Sequence, residues 1–297
     1  MTNPRIGLLS DVHLSRARPW FHANWELLLA ELARAPAPDM FIITGDCALD
    51  APVREDDLVF AREQFDRLPA PWHALPGNHD IGACYPEGAG EALVSEGLLS
   101  AWRRHFGPDF WVLDVPGWRL IALNSLIPGS HLPAEQEQAA FLEDAIATAG
   151  ARRVAVLTHK PLCLHDVTET ANSAACWRPQ TRELLQRHVR EGKVALIISG
   201  HLHESRDRII AGARHIWLPG LAFVIDMPNE WRMVMGGRKR VGHATLELGA
   251  APAITWHEPA SLLNIDIGGW MRAGGIGLYG PLAGEGLPYP QSPTSGE

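Results

Sequence analysis

Five short motifs carry residue types that can hold metal ions: Asp11-x-His13, Gly45-Asp46, Gly77-Asn78-His79-Asp80, Thr158-His159 and Gly200-His201-x-His203. Together they offer imidazole nitrogens, carboxylate oxygens and an amide oxygen. A mixed set of hard and borderline donors suits Zn, Mn or Fe ions. Structural zinc prefers cysteine-rich closed sets, so a purely structural site is disfavoured. The two-residue spacing of Asp11-x-His13 and His201-x-His203 would point both side chains to one face of an extended segment. Gly45, Gly77 and Gly200 each precede a candidate ligand, where a missing side chain lets the backbone turn sharply and crowd an ion. One such motif alone is more often structural. The weight comes from five of them in one chain.

Elements must bring these motifs together. Each motif stands at or just after a run that reads as a strand: 5–10, 39–44, 72–75, 154–157 and 194–198. Helical spacing marks 20–34, 56–68, 90–105, 134–149 and 180–191. Alternation of the two implies βαβ units and a largely parallel sheet, whose strand C-terminal ends open into one crevice. Runs 110–115 and 118–124 flank Pro116-Gly117 and read as a hairpin. After His203 short β runs dominate (208–210, 215–218, 222–225, 244–248, 253–257) and are expected to form a second sheet packed on the first. The chain is rich in Gly and Pro from 268. We read 266–297 as a tail or arm beyond a main domain of residues 1–265, with a pocket cap or an exchanged arm in a homo-oligomer as alternatives.

Composition narrows the class. With 297 residues, 46% hydrophobic and 20% charged, the chain can bury a sizeable core. A net charge of −8 disfavours a long nucleic-acid partner but allows a small phosphorylated substrate. No segment approaches the roughly 20 apolar residues of a membrane span. The run from Ile6 to Leu9 is too short for a signal-peptide core. Cys47, Cys84, Cys163 and Cys176 form no CxxC pair and read as reduced thiols of a cytoplasmic protein.

The ordered set D-x-H, G-D, G-N-H-D, H, G-H-x-H resembles the calcineurin-like metallophosphoesterases over roughly residues 5–205. Within that family the spacing looks like the branch of bacterial class III cyclic-nucleotide and glycerophosphodiester phosphodiesterases. The resemblance implies an α/β fold, a four-layer α/β/β/α sandwich of two mixed sheets flanked by helices. It implies two divalent or trivalent metal ions (Mn, Fe or Zn). Asp11, His13 and His203 would hold the first, Asn78, His159 and His201 the second, and Asp46 would bridge them. Two positions depart from the family pattern. An acidic residue often follows the bridging Asp by three; here that position is Leu49, with Asp50 next, so Asp50 or another group must orient the catalytic His. The segment Thr158-His159-Lys160-Pro161 carries a lysine, read either as a solvated flank or as added charge near the substrate.

The implied reaction is phosphate-ester hydrolysis, with a phosphodiesterase on a small organic or nucleotide substrate ahead of a phosphomonoesterase. A non-catalytic scaffold is disfavoured because every ligand is retained. Two cations roughly 3.5–4 Å apart attract an anionic ester and activate water. His79, if Asn78 is the ligand, is left to bind a phosphate oxygen or protonate the leaving alkoxide. For substrate contacts, Trp20, Phe21 and His22 could wall the pocket, or staple the following helix. His131 and His165 could face substrate or be simple loop histidines. Arg238-Lys239-Arg240 reads as a solvated turn, with a phosphate contact as the alternative.

Overall fold

The central strands are near-continuous apolar runs, and the alternating direction of their side chains sorts them onto two faces of two sheets. The computed structural model describes residues 3–85, 91–225 and 238–272. The first sheet has the order β11-β10-β1-β2-β3, from β1 (Arg5–Leu9), β2 (Met40–Ile43), β3 (Trp72–Ala74), β10 (His243–Glu247) and β11 (Ala253–His257). The second has the order β4-β5-β6-β7-β9-β8, from β4 (Trp111–Val115), β5 (Trp118–Ala122), β6 (Arg153–Leu157), β7 (Leu196–Ser199), β8 (Arg206–Ile210) and β9 (Ala213–Trp217). Both sheets are mixed. β1, β2 and β3 run parallel, as do β5, β6, β7 and β9, with antiparallel partners at the sheet ends.

Period two explains the layers. Ile6, Leu8 and Ile42 of the first sheet pack against Leu120, Ala122, Ala155, Leu157, Leu196 and Ile198 of the second. The opposite faces pack on helices. Leu9, Phe41 and Ile43 meet α1 (His22–Leu32), α2 (Asp56–Phe65) and α4 (Glu96–Phe106) through Trp25, Leu28, Phe65 and Trp102. Ile121, Val154, Val156 and Ile197 meet α5 (Pro133–Ala147) and α6 (Glu183–Arg190) through Leu142, Ile146, Leu185 and Val189. The result is the four-layer α/β/β/α sandwich.

Several expectations change. The two expected sheets are present, but the second begins at β4 rather than after His203. The late runs divide: β8 and β9 finish the second sheet, while β10 and β11 extend the first by pairing β10 antiparallel to β1. Residues 222–225 form no strand; a lone bridge joins Val224 to Asp266. The helix expected over 90–105 starts at Glu96, where the Ser95 Oγ accepts from the Leu98 N–H at 3.4 Å. Gly90 lies outside the described residues. Of the expected tail, α7 (Ile267–Arg272) begins on the core, with Ile267 buried against Phe21 and Phe223, while 273–297 lies outside the described residues. The Pro116-Gly117 hairpin is present, pairing Val115 with Trp118.

Candidate metal centre

The motifs follow the C-terminal ends of β1, β2 and β3 in one sheet and β6 and β7 in the other. They meet where the two sheets present those ends together. The loops are zipped to one another by backbone hydrogen bonds. Asp11 N–H donates to Gly45 O (3.1 Å), and Val12 and His13 N–H both donate to Asp46 O (2.9 and 3.0 Å). Gly200 N–H donates to His159 O at 2.9 Å, and Ala222 N–H donates to Asp11 O at 3.0 Å.

Asp11, His13, His201 and His203 do not lie on extended segments. Among the described residues seven non-glycine residues have positive φ, and five of them are candidate ligands: Asp11, His13, Asp46, His201 and His203. A left-handed backbone costs on the order of 1 kcal/mol or more at each such residue, so the surrounding bonds must hold it. The side chains converge because the loops turn, not because a pleat alternates. Glycine matters here for close approach. A Cβ on Gly77 would lie 2.1 Å from Asp46 Oδ1, and one on Gly200 would lie 1.8 Å from Ser10 Oγ.

Three donor groups interlock: Asp11-His13-His203, His13-Asp46-His79 and Asp46-His159-His201, each with its ligand atoms within 4.8 Å of one another. Asp46 Oδ2 stands at the centre, 3.7 Å from His13 Nε2 and 3.3 Å from His159 Nε2. His203 Nε2 lies 3.4 Å from Asp11 Oδ1 and 3.3 Å from His13 Nε2. Asn78 Oδ1 lies 3.0 Å from His159 Nε2. Ligands about 2.1 Å from a shared ion stand about 3.0–3.4 Å apart, a range that holds every one of these separations except His13–Asp46 at 3.7 Å.

Ring tautomers sharpen the test. His159 Nδ1 meets the Thr44 carbonyl at 2.8 Å and His203 Nδ1 meets the Phe223 carbonyl at 2.7 Å. Each Nδ1–H donates to its carbonyl, which leaves the Nε2 lone pair facing carboxylate and amide oxygens. Lone pairs facing lone pairs need a cation between them. His201 Nε2 lies 3.2 Å from Ala174 O, so its lone pair is on Nδ1. The electrostatics agree. Burial pulls His159 down, but the Asp46 carboxylate outweighs it and pushes the imidazole up to about 9. Burial also lowers His203, which Asp11 then raises above its usual value. Burial opposes the Asp46 charge, yet neighbouring His159 and His79 hold its carboxyl well below the usual range. The carboxylates thus draw positive charge to His159 and His203, while burial holds His13 and His201 well below the usual imidazole range.

Supporting groups lie behind the donors. Thr44 Oγ1 donates to Ser10 Oγ at 2.8 Å, and Ser10 donates to Asp11 Oδ2 at 2.5 Å. Asp80, buried at the start of α3 (Asn78–Ile81), accepts from the N–H groups of Ala48 and Gly77 at 2.8 Å each. His79 Nδ1 donates to the Leu49 carbonyl at 2.7 Å, and the His79 N–H donates to Asp46 Oδ1 at 2.9 Å. The main chain of Leu49 thus does the orienting for which a carboxylate was sought, while Asp50 faces Arg18 at 3.6 Å.

The family model for calcineurin-like phosphoesterases matches residues 4–205, more than half of the chain. The chain belongs to the calcineurin-like phosphoesterase family. Solved structures agree with this family's fold. The purple acid phosphatase PPD1 from yellow lupin seeds superposes with TM-score 0.60 at 14% identity, covering 89% of this chain and 52% of that one, so this chain spans about half its length. A dimetal phosphatase from Danio rerio gives 0.55 at 16% identity over 87% and 97% of the two chains. GAP50, the anchor in the inner membrane complex of Plasmodium, gives 0.56 at 12% identity over 90% of each. No curated protein matches the sequence.

In this phosphoesterase the expected substrate residues scatter. Trp20 sits half-buried in the turn before α1. His22 bonds Glu26 at 3.0 Å and packs on Phe60. His131 and His165 are exposed, and none of these three histidines bonds to or stacks on the donor cluster. Phe21 backs the site through Phe223, which stacks on His13 and His203. Arg238 pairs with Glu258 at 2.6 Å, and the Lys239 Nζ donates to Ile225 O at 2.5 Å. Lys160 is not a solvated flank: it is 4% exposed.

Proposed function

We propose that this chain is a dinuclear metal-dependent phosphodiesterase acting on a small organic or nucleotide phosphate ester. One observation carries the reading: Asp46 Oδ2 stands between His13 and His159, so a single carboxylate serves both donor groups. Asp11, His13 and His203 would hold one ion, and Asn78, His159 and His201 the other. When bound, such ions supply charge at the phosphoryl oxygens and activate a water molecule. The chain contributes the rest. His79, fixed through Nδ1 on the Leu49 carbonyl, presents Nε2 for delivering a proton to the leaving oxygen. Ser10 and the His201 N–H fix the Asp11 carboxylate in place.

Turnover of bis-p-nitrophenyl phosphate and p-nitrophenyl phosphate with added Mn or Zn tests this. The diester should be preferred in kcat/KM by about tenfold. The opposite preference makes the chain a phosphomonoesterase. No turnover by protein holding two ions leaves the fold as a non-catalytic scaffold.

A further inference from the structure

Beside the donor cluster lies a cleft lined by two cations, neither of which is in an ion pair among the described residues. Lys160 follows His159 at the end of β6, and its Nζ donates to Ala174 O at 2.7 Å. That same carbonyl lies 3.2 Å from His201 Nε2, which ties the ammonium to the metal-binding cluster. An ammonium has three N–H donors, so donors remain after that bond. Arg178 lines the same cleft with Tyr85, Ser173 and Thr181. It is half-buried, with Nη2 3.3 Å from Gly129 O and the guanidinium 5.6 Å from the Tyr85 ring. Its Nε is buried without a hydrogen-bond partner.

Among the described residues, neither cation has a carboxylate at ion-pair distance, although Glu91 is felt electrostatically at Lys160. Elsewhere, Arg103, Arg119 and Arg214 each carry one. The chain holds 34 acidic residues against 26 Lys and Arg, so composition alone would supply partners. A buried ammonium is costly unless its charge is met, which a ligand can do.

We propose that Lys160 and Arg178 form a subsite for a second anionic group, a phosphate or carboxylate, carried by the substrate beside its scissile phosphate. The inference rests on the hydrolase reading above and adds a substrate class to it: esters bearing a further negative charge on the side of His159 and His201. Tyr85, 41% exposed, gives the cleft a flat apolar wall next to the guanidinium.

Equilibrium binding to the metal-loaded protein tests the subsite without turnover. The probes are propylphosphonate, 3-phosphonopropionate and propane-1,3-diphosphonate, which share one phosphonate and differ in the far end. Either charged probe should bind about tenfold more tightly than propylphosphonate. Comparison of the two charged probes distinguishes a carboxylate from a phosphate. In Lys160→Met and Arg178→Gln that advantage should fall to below about threefold, read as a ratio so that any general loss cancels. Arg178 is half-exposed, so its variant keeps the test open should Lys160→Met not fold. No advantage in the wild type, or equal weakening of all three probes in both variants, overturns the subsite. Turnover of bis-p-nitrophenyl phosphate judges the hydrolase reading separately: a charged-probe preference without turnover sinks hydrolysis and keeps the subsite.

Discussion

His79 shares with His159 and His203 a ring whose Nδ1 donates to a backbone carbonyl, so its neighbours, rather than that bond, assign its work. His79 leans on the Leu49 carbonyl and lies edge-on to His13 with ring centroids 4.6 Å apart. It can reach the cavity, but Asn78 already offers an oxygen beside His159. His79→Ala should therefore lower kcat by about 10²–10⁴ while two ions per chain remain. Elemental analysis checks this, and loss of both ions would make His79 a ligand. The donors were legible in the sequence because Asp, His and Asn are written as letters at telling spacings. Their supports were not. Thr44, Leu49, Ala174 and Phe223 act through carbonyl oxygens, which any residue has. Lys160 and Arg178, 18 positions apart, carry no local sign that they share a cleft.

Helices were legible because burial on one face leaves a period of 3.6, and the central strands because burial on both faces leaves short continuous apolar runs. Which strand joins which sheet was not. β10 pairs with β1 across most of the sequence, and nothing local in 243–247 names that partner. The short loop at 222–225 is apolar enough to read as a strand, yet it serves as a loop whose Phe223 carbonyl holds His203. The inter-sheet layer sets the distance between the two halves of the donor set. Leu120, 1% exposed, lies in that layer and touches no ligand. Leu120→Ala should lower unfolding stability by about 2–5 kcal/mol in denaturant titrations. Metal content per folded chain should stay unchanged; loss of ions without loss of stability would detach the site from this layer.

Across the whole molecule, buried neutral histidines make stability depend on pH. His215 on β9 is 2% exposed, and burial, with Arg206 nearby, lowers its pKa from 6.5 to about 4. A lowered folded pKa means that the unfolded chain takes up the proton first. Its contribution is full above pH 6.5 and is lost as pH falls toward 4. At about 1.4 kcal/mol per pH unit the loss is roughly 3 kcal/mol. The stability gap between wild type and His215→Gln should shrink by about that amount between pH 7 and pH 4. A gap that stays constant would mean that His215 is not held neutral. The same bookkeeping of charge underlies the metal centre, where Asp11 and Asp46 face histidine nitrogens that need a cation between them.

The central claim is that Asp46 serves two ions at once, and metal content of the purified chain tests it most directly. Wild type should hold two ions per chain, and Asp46→Asn should hold fewer than one, with turnover lost alongside. An Asp46→Asn protein that keeps both ions and wild-type turnover would contradict the account.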